Sequence, residues 1–274
     1  MREERTKLIS SPSSRKRVLV ACEYSGAVRD AFALRGWDAW SCDLLESEHP
    51  GQHYQGDVRD MLHDQWDLMV CHPPCTFLSV SGIHWNNRGR GWKGTDNAVA
   101  FVQMLMDANV DHIALENPVS IISSRIRKPD QVIQPYAFGH DASKKTCLWL
   151  KGLPLLTPTE YVDGKLFCCG EEVPEECGKY GCAYCGGDKA VKLRWGNQTA
   201  SGQNKLAPGK NRWKDRSRTY LGIAQAMADQ WGYYLENTEM DNGERNADDF
   251  NTNERQNYAR IQRKTRCLAI DPID

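Results

Sequence analysis

The sequence lacks any apolar run long enough to cross a bilayer, lacks an excess of charge of either sign, and lacks an internal repeat. The first absence excludes a membrane-spanning helix. The second, 35 Lys and Arg against 36 Asp and Glu, excludes a whole-molecule field that would draw a polyanion, so any nucleic-acid contact must be a local patch. The third excludes a solenoid or propeller. Residues 1–16 (MREERTKLISSPSSRK) lack the apolar core of a secretion signal and read as a disordered leader. A soluble cytoplasmic protein with no membrane partner is therefore expected. Nothing calls for an obligatory protein partner. Its 11 cysteines then belong to a reduced compartment, as thiolates for metal or catalysis rather than as disulfides.

What is present is an alternation of strand-like and helix-like segments, and 274 residues suffice for one sizeable core with an appendage. RVLVAC (17–22), DAWSCD ending at Asp43, HYQGD around Tyr54, DLMVC ending at Cys71, HIALE ending at Glu116 and KTCLWL (145–150) read as strands. AVRDAFALR closed by Gly36, and a segment from Thr95 to Asn109 capped by Thr95, read as helices. Strand alternating with helix implies an α/β fold with a mostly parallel sheet. From Gly152 to Trp213 the pattern gives way to Gly, Pro, Cys and charged residues. Helical spacing returns with Tyr220, Ile223, Met227, Trp231 and Tyr234 on one face. The expected division is a catalytic domain from 17–150 plus 216–237, a cysteine-rich insertion over 151–215, and a polar tail from 238 to 274 that carries at most a short helix.

Two strand ends carry chemistry. Cys71-His-Pro-Pro-Cys75 follows an apolar strand, and its two prolines stiffen a loop that displays a thiol where α/β sheets hold their ligands. His112-Ile-Ala-Leu-Glu116-Asn117-Pro118 ends a second strand on a carboxyl group, which is costly to bury unless it is used or paired. Either motif alone describes an ordinary turn. Together they describe two tips that can face one cleft.

Their order, with an acid and a glycine in the turn after the first strand, an acid after the second, Gly56-Asp57 after the third, Pro-Pro-Cys after the fourth and Glu-Asn after the fifth, resembles the DNA cytosine-5 methyltransferase family. The resemblance implies a Rossmann-like S-adenosylmethionine-dependent methyltransferase fold. It implies Cys75 as the nucleophile at C6 of a flipped cytosine, with Glu116, beside Asn117, at N3 and the amino group. That chemistry holds physically: C5 is too weak a nucleophile unless addition at C6 makes the ring an enamine, and a protonated Glu116 would assist that addition. Lys144 and Lys145 are the candidate cations to favour the thiolate. On the donor side the resemblance implies Glu23, Ser25 and Gly26 near the methionine end, Asp43 at the ribose hydroxyls, and Asp57 with Val58 at the adenine. Arg216-Ser-Arg-Thr-Tyr-Leu-Gly-Ile-Ala resembles the family's closing motif. Its glutamine-arginine-arginine motif has no counterpart; KKTCLWL stands there, so Thr146 or Lys145 is left for the base O2.

Cys168 or Cys169, with Cys177, Cys182 and Cys185, supplies four thiolates in a short segment without histidine, the ligand set of a structural zinc. Lys189, Lys192, Arg194, Lys205, Lys210, Arg212, Lys214, Arg216 and Arg218, interleaved with Trp195, Trp213, Asn197, Gln198, Gln203 and Asn204, form a basic run suited to phosphates and bases. Asn86 to Trp92 offers a second, flexible contact. The expectation is thus a compact, phage-like enzyme with DNA as its partner, with a small zinc-bearing insertion, that transfers a one-carbon-derived group to cytosine C5. The donor is S-adenosylmethionine or carboxy-S-adenosylmethionine, the latter making it a carboxymethyltransferase. A methyltransferase acting on an exocyclic amino group would carry an aromatic after Pro-Pro, where this chain has Cys75. The rival of a different class is a non-catalytic zinc-stabilised DNA-binding protein.

Overall fold

Along β1 (Arg17–Ala21) successive side chains point to opposite faces of a sheet, and both faces are buried. Val18 and Val20 join one core and Leu19 and Ala21 the other, so layers of chain must cover this strand on both sides. The computed structural model, which describes residues 15–168, 171–173, 191–206, 209–210 and 212–238, shows how. The chain divides into two units, 1–235 and 236–274; the described part of the second is the last turn of the final helix. The expected leader and tail lie outside the described residues, apart from their edges at residues 15–16 and 238.

α1 (Ala27–Leu34) leads from β1 to β2 (Asp38–Asp43) and β3 (His53–Gln55), each parallel to its neighbour. The chain then crosses to the other side of β1 and lays down β4 (Leu68–Cys71), a short α2 (Val80–Ile83), α3 (Lys93–Met106) and β5 (Ile113–Pro118). After α4 (Ile122–Arg125), β6 (Gln131–Ile133) forms the far edge, and β7 (Thr146–Lys151) inserts antiparallel between β5 and β6. The strand order β3-β2-β1-β4-β5-β7-β6 makes the expected mostly parallel, Rossmann-like sheet. Its direction of winding reverses between β1 and β4. The carboxyl ends of those strands are where such sheets bind ligands.

One face of the sheet is covered by α1, through Val28 and Phe32, and by the last helix, through Ile223, Met227 and Trp231. The other is covered by α3, through Val102 and Leu105. A three-stranded antiparallel sheet, β8 (Lys165–Cys168), β9 (Glu171–Glu172) and β10 (Lys192–Arg194), stands apart in the expected insertion. The insertion's opening residues pack on the main core: Leu156 is buried there, and Trp231 Nε1 donates to the Pro154 carbonyl at 2.9 Å. The return segment forms α6 (Leu221–Thr238), as its periodicity predicts, and is preceded by α5 (Arg212–Ser217), which the periodicity did not mark. Among the described residues no helix is long and apolar enough to cross a membrane.

Two local readings need correction. Thr95 does not cap α3; it lies inside the helix, fully buried, donating to the Phe77 carbonyl at 2.9 Å and accepting from Asn86 Nδ2 at 2.7 Å. A tertiary tie outweighs the local capping preference. β5 also runs past Glu116 to Pro118, because its antiparallel register with β7 continues that far.

Candidate active site

The Cys75 loop begins where β4 stops. His72 extends the parallel ladder by one bond, its N–H donating to the Ala21 carbonyl at 2.9 Å, before Pro73 and Pro74 end the pairing. Cys75 follows, exposed, at the start of a 3-10 turn (Cys75–Phe77) whose return is fixed by Leu78 and Ser79 N–H groups donating to the Cys75 carbonyl. Ser79 then caps α2 by accepting from Gly82 N–H at 3.3 Å. Gly82 crosses so close to the Thr76 carbonyl oxygen that an added Cβ would overlap it.

The Glu116 and Asn117 tip is joined to this loop by two side-chain hydrogen bonds. Glu116 Oε2 lies 3.0 Å from His72 Nδ1, and Asn117 Nδ2 donates to the Pro73 carbonyl at 2.8 Å. The two motifs are thus one structural unit, 44 residues apart in sequence. Burial by itself would raise the Glu116 carboxyl, but the His72 hydrogen bond and the Lys144 charge outweigh it and hold the group below the ordinary carboxylate range. Before any base binds, this favours the carboxylate form; the protonated Glu116 expected at cytosine N3 belongs to the base-bound state. Lys144 lies at the entry to β7, its Nζ donating to the Arg216 carbonyl at 3.0 Å. Thr146 Oγ1, expected near the base O2, donates to the Lys144 carbonyl at 3.2 Å.

Beside this unit, at the ends of β1, β2 and β3, lies a cleft of about 230 Å³ whose walls include Asp43, Leu44, Asp57, Val58, Pro74 and Phe101. Three expected donor residues, Asp43, Asp57 and Val58, therefore share one cavity. Pro74, the residue before Cys75, lines it as well. Burial raises the Asp43 carboxyl above its ordinary range, with the Leu45 and Leu44 N–H groups and His53 pulling it back. Asp57 caps the turn after β3, accepting from Arg59 N–H at 3.0 Å. Leu44, exposed at the end of β2, and the Phe101 ring add apolar walls.

The first turn is organised differently from the donor loop expected. Glu23 is buried, and its carboxylate accepts from Val28 N–H at 2.7 Å and Arg29 N–H at 3.2 Å, capping α1 from three residues before Gly26. Ser25 donates to the same carboxylate at 3.3 Å, and Gly26 takes the left-handed conformation at φ 74° over the Arg29 guanidinium. None of Glu23, Ser25 and Gly26 is among the residues lining the cleft. The closing segment does return to this turn: Tyr24 OH donates to the Lys214 carbonyl at 2.9 Å and lies 3.0 Å from Ser217 Oγ.

Several of the expected base readers have partners within the chain: Gln198 and Asn204 bond nearby backbone, and Trp213 lies against Tyr24. Trp195 stacks on Tyr136 with ring centroids 4.3 Å apart, and Asn197 exchanges hydrogen bonds with the backbone of Ser143. They fasten the insertion next to Lys144. Residues 86–92 form a turn in which Arg90 lies 3.8 Å over the Phe77 ring. Cys168 is buried at the end of β8, whereas Cys169, Cys177, Cys182, Cys185 and Lys189 lie outside the described residues. Among the described residues no group of three or more His, Cys, Asp or Glu side chains is placed to hold a metal ion. The sequence reading gave no role to His72, Leu44 or Phe101, and gave Pro74 only the stiffening of the loop. A histidine directly before Pro-Pro at a strand tip, and an aromatic off the packed stripe of α3, were the signals.

No protein-family profile and no characterised protein sequence matches the chain. Among solved structures it is similar to the Entamoeba histolytica methyltransferase EhMeth, with 11% identity and a TM-score of 0.39. That alignment covers 55% of this chain and 59% of the other, less than two thirds of its length.

Proposed function

We propose that the protein alkylates C5 of cytosine in DNA, with Cys75 as nucleophile, Glu116 as base anchor, and an S-adenosylmethionine-type donor in the cleft bounded by Asp43, Asp57, Phe101 and Pro74. The observation that carries this reading is the pair of hydrogen bonds, His72 to Glu116 and Asn117 to Pro73, that locks the thiol loop to the acid tip beside that cleft.

The cleft fits such a donor. Asp43, at the end of β2, has acceptor capacity for ribose hydroxyls, and Leu44 and Phe101 give a flat base apolar contact. When bound, the donor supplies an electrophilic carbon on a sulfonium. The chain's own residues do the rest. Cys75 Sγ adds to C6 of an extruded cytosine, forming an S–C6 bond and moving the C5=C6 pair onto C5. Glu116, as a carboxylate, accepts from the exocyclic amino group and holds the ring against the thiol. With the donor's carbon bonded to C5 through that pair, and the donor's former carbon–sulfur pair left on its own sulfur, loss of the C5 proton to solvent, with the C5–H pair re-forming C5=C6 and the S–C6 pair returning to Cys75, would restore the aromatic base.

A trapping experiment tests the covalent step. Oligonucleotides carrying 5-fluorocytosine cannot lose a proton from C5, so the adduct persists once the group is transferred. The expected result is a denaturation-resistant protein–DNA species that needs the donor and is absent from Cys75→Ser. A crosslink of equal yield in Cys75→Ser contradicts the assignment.

A further inference from the structure

We propose that His72 is a positioning residue for the base-binding carboxylate: Nδ1–H fixes Oε2 of Glu116 so that Oε1 is left to receive the cytosine amino group. The role rests on the cytosine reading above, although the pair itself is visible without it.

The geometry is specific. His72 Nδ1 and Glu116 Oε2 are 3.0 Å apart, with side chains only 8% and 12% exposed. An ionised carboxylate is acceptor-only, so this bond requires the proton to sit on Nδ1. The ring cannot easily swing away, because the His72 backbone is held by Ala21 on one side and followed by two prolines on the other. Its Nε2 is buried with no partner, so Glu116 is the one group among the described residues that holds the imidazole. The titratable or charged groups facing Glu116 are His72 from the tip of β4, and Lys144 and Cys147 from the segment entering β7. Lys144 supplies charge without direction, since its Nζ is bonded to the Arg216 carbonyl. A carboxylate with one fixed oxygen presents a defined acceptor, whereas one steadied only by a diffuse charge can rotate. His72 also belongs to the same loop as Cys75, so anchor and nucleophile keep one spacing.

The test uses the full chain, labelled with ¹³C at the glutamate carboxyl, with Glu116→Gln identifying the signal. The expected result is a carboxyl that binds its proton about tenfold more tightly in His72→Phe than in the unsubstituted protein. The acid limb of the kcat/KM profile moves to higher pH with it, because a more basic carboxylate is protonated earlier on acidification. His72→Asn, which keeps a donor near Nδ1, restores most of both. A carboxyl midpoint that does not move in folded His72→Phe overturns the proposal. The imidazole ¹⁵N spectrum of the unsubstituted protein needs no variant: protonation at Nδ1 with bare Nε2 supports the bond, and protonation at Nε2 alone overturns it. Movement of the carboxyl in a protein that never modifies cytosine overturns the functional reading and His72's role with it. Modification with an unmoved carboxyl overturns the His72 assignment alone.

Discussion

Asn117 reaches from the end of one strand to the loop after its neighbour and donates its amide to the carbonyl of Pro73 at 2.8 Å. Pro73 cannot extend the ladder with an N–H of its own, so this side chain supplies the tie between β4 and β5 at the point where the sheet opens. The bond is buried, Asn117 being only 1% exposed. Asn117→Ala leaves a buried carbonyl without its donor, and unfolding in urea is expected to show a loss of about 1–3 kcal/mol. Cytosine turnover is expected to fall further than stability, because the thiol loop loses its register with Glu116. Unchanged stability would contradict the tie.

The first turn and the cleft were unequally legible in the sequence. RVLVAC, DLMVC and HIALE read as buried strands because both faces of a parallel strand are covered, which produces apolar runs bounded by turn residues. From the first five strands, the chain order of Asp43, Asp57, Cys75 and Glu116 then placed the acids and the thiol at strand ends. β6 was missed because three residues between Pro129 and Pro135 carry no period. The contacts of Trp195 with Tyr136 and of Asn197 with Ser143 were not legible, because a basic, aromatic segment has the composition of a nucleic-acid surface and these partners are set by chain packing. His72 escaped because its partner is 44 residues away and one histidine makes no pattern.

Asp43 gives a prediction on donor binding. Its carboxyl is held above the ordinary range mainly by burial, so on acidification it takes up a proton earlier than a free aspartate. Ribose hydroxyls donate best to the ionised form, and affinity for S-adenosylhomocysteine measured by calorimetry is expected to decline as pH falls through that raised value. Asp43→Asn is expected to lose about 1.5–3 kcal/mol, roughly ten- to hundredfold in Kd. Equal affinity in the variant would place the donor elsewhere.

Gly82 tests the shape of the Cys75 turn. An added Cβ would overlap the Thr76 carbonyl oxygen, and Thr76 follows Cys75 directly. Gly82→Ala is expected to displace the thiol by a fraction of its own size and to lower kcat by about a hundredfold. Circular dichroism should change little, since α2 has only four residues, while the melting temperature falls because the clash is with backbone. Wild-type turnover in this variant would show that the turn is adaptable.

Zinc is a prediction from spacing. Cys168 or Cys169 with Cys177, Cys182 and Cys185 would close a four-thiolate site. Elemental analysis of protein purified without added metal is expected to give one zinc per chain, and Cys182→Ser to lose it. Metal-free wild-type protein of unchanged stability would remove zinc from the account.

The central claim is the covalent alkylation of cytosine. It is tested most directly by mass spectrometry of nucleosides from DNA incubated with the protein and, separately, S-adenosylmethionine or its carboxylated analogue. The account predicts a mass gain on deoxycytidine with one of these donors, its size naming the transferred group, and none with Cys75→Ser. No gain with either donor, or a gain that survives loss of Cys75, would contradict it.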